Sequence, residues 1–381
     1  MKYLILYPDE YEFSALTIQA KLLARGLKEN GHEVRCLCVN HTFSKKLEYA
    51  TLKPDAVIGV GFWGNTKTLI EDPIKHGLTA VPWFNANGWI ANHRETLNQL
   101  PLLLVTSGWV NRVYQRDGIR PDNIRPLHVG IDATSFRPLP KDHPKVSHVR
   151  EMLGVKPHEL MILTAGGDAT SKGAQEMFRG IAKMKGELPP FKYVCKSWPS
   201  HNTNEWRQME TELLDNLGIR DHIIFHDEVI HHEDMPFILN ACDIYAAPSR
   251  LEGFGMIQVE AMACGKPVIS INEMGPAETI IHGKTGFLAD VGQEIKLDKE
   301  WVGPDMGYER VMQIEFPNPK TFAYRANTDQ LADFTQKLLT DANLREEMGQ
   351  AAAKHALENF HYTVIAKKMV DLLQEHLLKK P

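Results

Sequence analysis

Two glutamates, Glu252 and Glu260, stand eight positions apart in otherwise small and apolar company, with Gly253-Phe254-Gly255 directly after the first. Taken as a helix with Gly265 in the C′ position, residues 256–265 surround Glu260 with Ile257, Val259, Ala261, Met262 and Ala263. A helix apolar nearly all round is a buried one. A carboxylate there is costly unless something donates hydrogen bonds to it. That donor is either the protein itself, which makes Glu260 a satisfied core or rim group, or a ligand with paired hydroxyls such as a ribose, which a carboxylate grips with both oxygens. The glycines around Phe254 let the backbone pass close to a ligand. The amides beyond them open a helix, a place suited to phosphate. One carboxylate for ribose, another for a sugar and amides for phosphate together describe a nucleotide-sugar site.

Such a site needs a frame, and the order of elements supplies one. "YLILY", "EVRCLCV", "DAVIGVG", "AVPWF" and "LLLVTS" are short apolar runs separated by helical patterns such as "ALTIQAKLLARGLKENGH", a polar helix after "DAVIGVG" and "GWVNRVYQRDG". This alternation predicts a parallel sheet covered on both faces. The pattern breaks into prolines and polar residues over "IRPLHVGIDATSFRPLPKDHPK", which reads as a linker. It resumes through "LMILTAGG", "FKYVCKSW", "HIIFHDEV", "IYAAPS" and "PVISI". The fold class is therefore α/β, two Rossmann-like doubly wound units with ligands expected in a cleft at the carboxyl ends of the strands. Residues 1–138 form the expected first domain and 139–358 the second. Residues 292–326 are an irregular insertion, and 359–381 form a closing helix that crosses back to the first domain.

Composition narrows the classes further. At 381 residues the chain is long enough for two cores, and its 24% charged residues are ordinary for a globular protein. Five cysteines without CxxC spacing argue against a disulfide framework or a structural zinc site. Net charge is roughly +3 over residues 1–138 and roughly −8 over the remainder, with no basic stripe that would point to nucleic acid. No apolar run approaches the roughly 20 residues a spanning helix needs. "MKYLILYP" is too short for a signal peptide. The expectation is a cytoplasmic protein, at most peripheral to a membrane.

The stretch Pro248-Ser249-x-x-Glu252-Gly253-Phe254-Gly255-x-x-x-x-Glu260-Ala261-Met262-Ala263-x-Gly265-x-Pro267-Val268 resembles the E-x7-E signature of family 4 retaining glycosyltransferases. "HVGIDATSFRP", "NACDIYAAPS", "GPAETIIHGKTGFLADV" and "ENFHYTVIAKKMVDLL" are similar to further segments of that family, which has the GT-B fold. The resemblance implies that Glu260 holds ribose hydroxyls and Glu252 sits against the transferred sugar. It further implies that the amides of Phe254, Gly255 and Met256 face phosphate or sugar, and that Val229 lies beside the base. "AGGDATSKG", with Gly166 and Gly167, resembles the family's G-R-x-x-x-x-K-G and makes Lys172 the cation on the leaving diphosphate. A lysine after a glycine-rich turn suits that task.

The chain departs from the family pattern in three places. Gly167 stands where the family has an arginine, and Lys196, at the end of the next strand, is the candidate replacement. Ser14 and Ala15 stand where a Gly-Gly loop is usual. The family's N-domain histidine is absent after "AVPWF", where Asn85 and Asn87 stand and His93 follows; these five residues are the acceptor-side candidates. The run His226 to Asp234 looks like a metal nest, but its spacing is not HExxH and its residues would face different ways, so no metal and no cofactor are expected. Trp63, Trp83, Trp89 and Trp109 could stack on sugar rings but are expected mostly in the core.

The resulting expectation is a retaining hexosyltransferase moving a sugar from a UDP-, GDP- or ADP-linked donor to an acceptor hydroxyl on a sugar, lipid-linked sugar, protein or small molecule. A GT-B sugar-nucleotide epimerase and a non-catalytic nucleotide-sugar-binding protein are the alternatives.

Overall fold

The computed structural model describes residues 1–8, 14–85, 88–167, 169–198 and 203–378, and the chain divides into two compact units. Met1–Asp132, Lys296–Phe322 and Asn359–Pro381 form the first; Ala133–Ile295 and Ala323–Glu358 form the second.

The first unit holds β1 (Lys2–Tyr7), β2 (Glu33–Cys38), β3 (Ala56–Phe62), β4 (Ala80–Asn85), β5 (Leu103–Val105) and β6 (Ile124–Pro126), all parallel, in the order β2-β1-β3-β4-β5-β6. Tyr3, Leu4, Ile5 and Leu6 are wholly buried, as a strand covered on both faces requires. Trp63, Trp83, Trp89 and Trp109 are buried too, and Trp83 Nε1 donates to the Leu127 carbonyl at 2.9 Å. The closing helix Tyr362–Leu373 belongs with this unit. Tyr362 donates its hydroxyl to the Glu29 carboxylate at 2.9 Å, at the end of the helix Ala15–Glu29.

The second unit holds β7 (Leu160–Ala165), β8 (Phe191–Lys196), β9 (Ile223–His226), β10 (Ile244–Ala246), β11 (Val268–Ile271) and β12 (Gly286–Ala289). They are parallel in the order β12-β11-β10-β7-β8-β9. The strand order therefore reverses between β7 and β10. Two six-stranded, doubly wound parallel sheets are the α/β GT-B class of fold anticipated from the alternation. Among the described residues no helix is long and apolar enough to cross a membrane.

Three local expectations are corrected. The linker stretch begins with a strand: Ile124–Pro126 pairs along β5, and a three-residue edge strand can carry a proline without showing any periodic signal. The polar helix after β3 is broken into a 3₁₀ turn at Trp63–Asn65, a π turn at Lys67–Glu71 and a helical turn at Asp72–Lys75, with Pro73 at the last junction.

The third correction concerns the stretch expected to be irregular. It forms β13 (Val291–Val302) and β14 (Met312–Ala326), a two-stranded sheet of its own. About half of its residues are exposed, and apolar alternation is confined to the short runs Ile295/Leu297 and Met312/Ile314/Phe316; Pro317 and Pro319 are tolerated because the ribbon has only edges. Within the first unit Phe316 packs edge-on against Trp89 at 5.4 Å, and Asn92 donates to the Gly307 carbonyl at 3.3 Å. Lys320 pairs with the buried Asp117 carboxylate at 2.8 Å. Burial pushes that carboxyl up, but Arg116, Lys320 and the Ile90 amide outweigh it and hold it below the usual carboxylate range.

Candidate active site

In a doubly wound sheet the loops at the carboxyl ends part where the strand order reverses, and ligands bind there. In the second unit those loops follow β7 and β10, and they are laced together. Tyr245 donates its hydroxyl to the Ala165 carbonyl at 3.1 Å, and the Arg250 amide donates to the Ser171 carbonyl at 2.9 Å. Gly173, at φ 85°, lies so close to the other loop that a Cβ would sit 2.2 Å from the Pro248 carbonyl oxygen. No other residue type fits that crossing.

The lacing brings Lys172 Nζ to 2.6 Å from Glu252 Oε2. The other oxygen, Glu252 Oε1, accepts the Gly255 amide at 3.0 Å. Gly253 to Met256 form the turn into the helix Met256–Ala263, and Phe254 is buried beneath it. The Glu252 backbone is held from behind: its amide donates to Met274 Sδ at 3.3 Å and its carbonyl accepts from the Gly275 amide at 3.1 Å. Met274 is fully buried at φ 63°, a left-handed conformation that a methionine keeps only when its surroundings fix it. Lys172 and the Gly255 amide are donors suited to a phosphate, and Glu252 occupies both.

Glu260 is 1% exposed, as its apolar helix dictates. His232 Nε2 lies 2.9 Å from Glu260 Oε1, and the His232 ring packs against Phe136 with centroids 5.1 Å apart. Burial pushes the Glu260 carboxyl up, and His232 opposes that rise. The sequence reading singled out both residues but not their partnership, because His232 stood there only as one of a crowded acidic and imidazole run.

Lys196 ends β8, in register with Ala165 of β7 and His226 of β9. Its backbone is shared with the glycine turn: the Gly166 amide donates to the Lys196 carbonyl at 3.1 Å, and the Trp198 amide to the Gly167 carbonyl at 2.9 Å. The side chain is 1% exposed, and burial lowers the ammonium pKa to about 8 against the pull of Asp227. Gly166 and Gly167 have φ of 109° and 54°. The place of the family's arginine is thus a left-handed position here, which an arginine would occupy only under strain.

A further cation was missed in the sequence. Arg207, on the helix Thr203–Leu217, lies 3.5 Å above the Phe225 ring and reaches both Asp227 oxygens from Nη2 at 2.7 and 2.8 Å. Its Nη1 donates to Glu210 at 3.1 Å, and Glu210 accepts the Thr170 hydroxyl at 2.8 Å. In the sequence Arg207 and Glu210 are an ordinary helical i, i+3 pair, indistinguishable from a solvated face.

The remaining candidates have other surroundings. Val229 is 62% exposed on the turn after β9. In the first unit Ser14 precedes the helix Ala15–Glu29 with no side-chain cap bond, and Ala15 is exposed. Asn85 Oδ1 accepts the Thr106 hydroxyl at 2.7 Å, and its carbonyl accepts Tyr114 at 2.9 Å. Asn87 lies outside the described residues. His93 has φ 63° and a buried, unpartnered Nε2 against Gly307 of the ribbon; burial lowers its pKa. The run expected to face different ways does so. His226 meets Glu228 at 3.5 Å, Asp227 meets Arg207 and His232 meets Glu260. Among the described residues no group of three or more His, Cys, Asp or Glu is placed to hold a metal ion.

This architecture is shared with solved GT-B structures. A glycosyltransferase from Rickettsia africae superposes with a TM-score of 0.74 at 18% identity, covering all of both chains. Anabaena Alr3699/HepE, solved in complex with UDP and glucose, superposes with a TM-score of 0.71 at 15% identity over 98% of this chain and all of the other.

Residues 148–300, which contain the whole constellation from Gly166 to Glu260, match the family Glycosyl transferases group 1. Over that stretch, about two fifths of its length, the chain is similar to the group 1 glycosyltransferases. D-inositol 3-phosphate glycosyltransferase of Mycobacterium sp. (strain KMS) is 30% identical over 170 residues, 45% of this chain and 36% of the relative, so the chain matches little more than a third of that protein's length.

Proposed function

We propose that this protein is a retaining hexosyltransferase that takes its sugar from a nucleotide-diphosphate donor and passes it to an acceptor hydroxyl without a bound metal. The second unit is the donor domain and the first the acceptor domain. The carrying observation is the Lys172–Glu252 pair at the strand-order reversal, 2.6 Å long and joined to the first amide of the Met256–Ala263 helix turn. An arriving diphosphate takes Lys172 and the Gly255 amide, and Glu252 turns to the sugar. Glu260 accepts the ribose hydroxyls, and Val229 lies beside the base.

The anomeric carbon–oxygen bond to the diphosphate then breaks, with its electron pair leaving on the phosphate oxygen. The acceptor oxygen bonds to the anomeric carbon on the same face and passes its proton to that departing oxygen. Lys172, Lys196 and the helix amides stabilise the charge that develops, which is worth several kcal/mol in a water-poor site. Support for the nucleotide-sugar donor also comes from the UDP and glucose found with the Anabaena protein of the same fold.

A thermal-shift screen over UDP-, GDP- and ADP-sugars, followed by a transfer assay with the stabilising donor, tests the reading. One donor class should raise the melting temperature through mass action. No stabilisation by any of them contradicts it.

A further inference from the structure

The mechanism above uses Glu260 as an anionic acceptor, yet the protein makes that state hard to keep. The carboxylate is 1% exposed, inside a helix of otherwise apolar residues. The helix Met235–Ala241 and β11, which pack near it, have the sequences MPFILNA and VISI and carry no titratable side chain. Other titratable groups set against it are Tyr245 on β10 and Cys264 at its own helix end, both held protonated far above neutral pH, first of all by burial. Among the described residues, what remains is His232, 2.9 Å from Oε1, on the segment between β9 and the helix Met235–Ala241. Its ring is seated on Phe136 and its side chain is 29% exposed, so one face of the imidazole is fixed in the protein while the residue stays within reach of solvent.

We propose that His232 is a positioning residue for nucleotide recognition: by holding Oε1 it keeps Glu260 ionised and turned so that its other oxygen meets the ribose hydroxyls. This rests on the donor reading above and names the residue on which ribose selectivity depends. A carboxylate deprived of that donor is left with burial alone, which favours the protonated acid. The acid cannot accept two hydroxyl hydrogens as the anion does. The sign follows: without His232, nucleotide affinity falls as pH falls, because Glu260 takes up a proton at a higher pH than in the wild type. Loss of that pairing also removes the distinction between a ribose and a sugar lacking its hydroxyls.

The test is calorimetric titration of the full chain with UDP, GDP and ADP and with the 2′,3′-dideoxy form of whichever binds, at pH 6, 7 and 8. Wild type, H232F and H232Q are compared, with folding of each checked by circular dichroism. H232F keeps a ring on Phe136 without the donor; H232Q keeps a donor without the ring. Wild type should favour the ribose form at least tenfold, with a nearly level affinity across the pH range. H232F should bind about tenfold more weakly at pH 7, weaken further at pH 6, and treat the two forms alike. H232Q should recover most of the affinity and selectivity.

If ring packing were the role of His232, H232F would be the mild variant and H232Q the damaging one, which overturns the proposal. Wild-type affinity, selectivity and pH profile in both variants overturn it as well. Failure of the wild type to bind any of the three nucleotides instead overturns the donor reading, and this inference with it.

Discussion

The two sheets have similar doubly wound topology, yet the loops that leave them are put to different use. At the reversal in the second unit, two loops cross at Gly173 and place Lys172 and Glu252 in contact, with buried Lys196 on the neighbouring strand end. In the first unit two of the described candidates, Asn85 and His93, are absorbed into structure, while Ser14 and Ala15 are not. Asn85 ties β4 to Thr106 and Tyr114, and His93 is covered by Gly307 of the β13–β14 ribbon. The first sheet reverses its strand order between β1 and β3, whereas Asn85 and His93 stand at the end of β4 and after it; the side chains placed at a strand end, and what they satisfy, decide where chemistry can occur.

The largest expected break in this contrast is Gly173→Ala. The new Cβ would meet the Pro248 carbonyl and force a left-handed alanine, so the crossing must open. A stability loss of about 3 kcal/mol or more is expected, read as a lowered melting temperature. Lys172→Ala should leave the fold intact and remove about 3 kcal/mol of transition-state stabilisation, seen as a drop of two to three orders of magnitude in kcat/KM.

Lys196 sharpens the contrast through pH. Lys196→Met should lose about 2 kcal/mol of the same stabilisation. In the wild type, transfer should fall as pH rises through about 8, where the buried ammonium loses its proton, and Lys196→Arg should carry activity to higher pH. Stability moves the other way. Burial lowers this lysine's pKa in the folded protein, so between about 8 and its ordinary 10.5 the unfolded chain binds more protons and wild-type stability rises with pH. Lys196→Met should lack that rise. The smallest effect belongs to the first unit: Asn85→Ala should cost about 1 kcal/mol of stability through the lost Thr106 bond and leave nucleotide affinity unchanged, measured by melting and by titration.

Much of this was legible in the sequence because the relevant signals are local. Continuous apolar runs mark buried parallel strands, and a glutamate in an apolar helix announces an unusual carboxylate before any partner is known. What stayed hidden depends on long-range pairing. His232 lies 28 positions from Glu260, and Arg207 lies 20 from Asp227. Neither spacing has a local meaning. The β13–β14 ribbon was illegible for a different reason: its alternation is confined to short runs such as Ile295/Leu297 and Met312/Ile314/Phe316, set among charged residues and prolines. Gly167 shows a third case. Its identity was read as a lost arginine, whereas its φ of 54° shows that the turn itself asks for glycine.

The central claim is that Glu252 holds the donors that a diphosphate takes when it binds. Glu252→Gln tests it most directly, by calorimetric titration of wild type and variant with the nucleoside diphosphate that the thermal-shift screen selects, beside a transfer assay with the matching sugar. Removing the carboxylate charge releases Lys172 from its ion pair, while the glutamine carbonyl can still accept the Gly255 amide, so the account predicts tighter binding of the sugar-free nucleotide together with loss of transfer. Weaker nucleotide binding with transfer intact would contradict it.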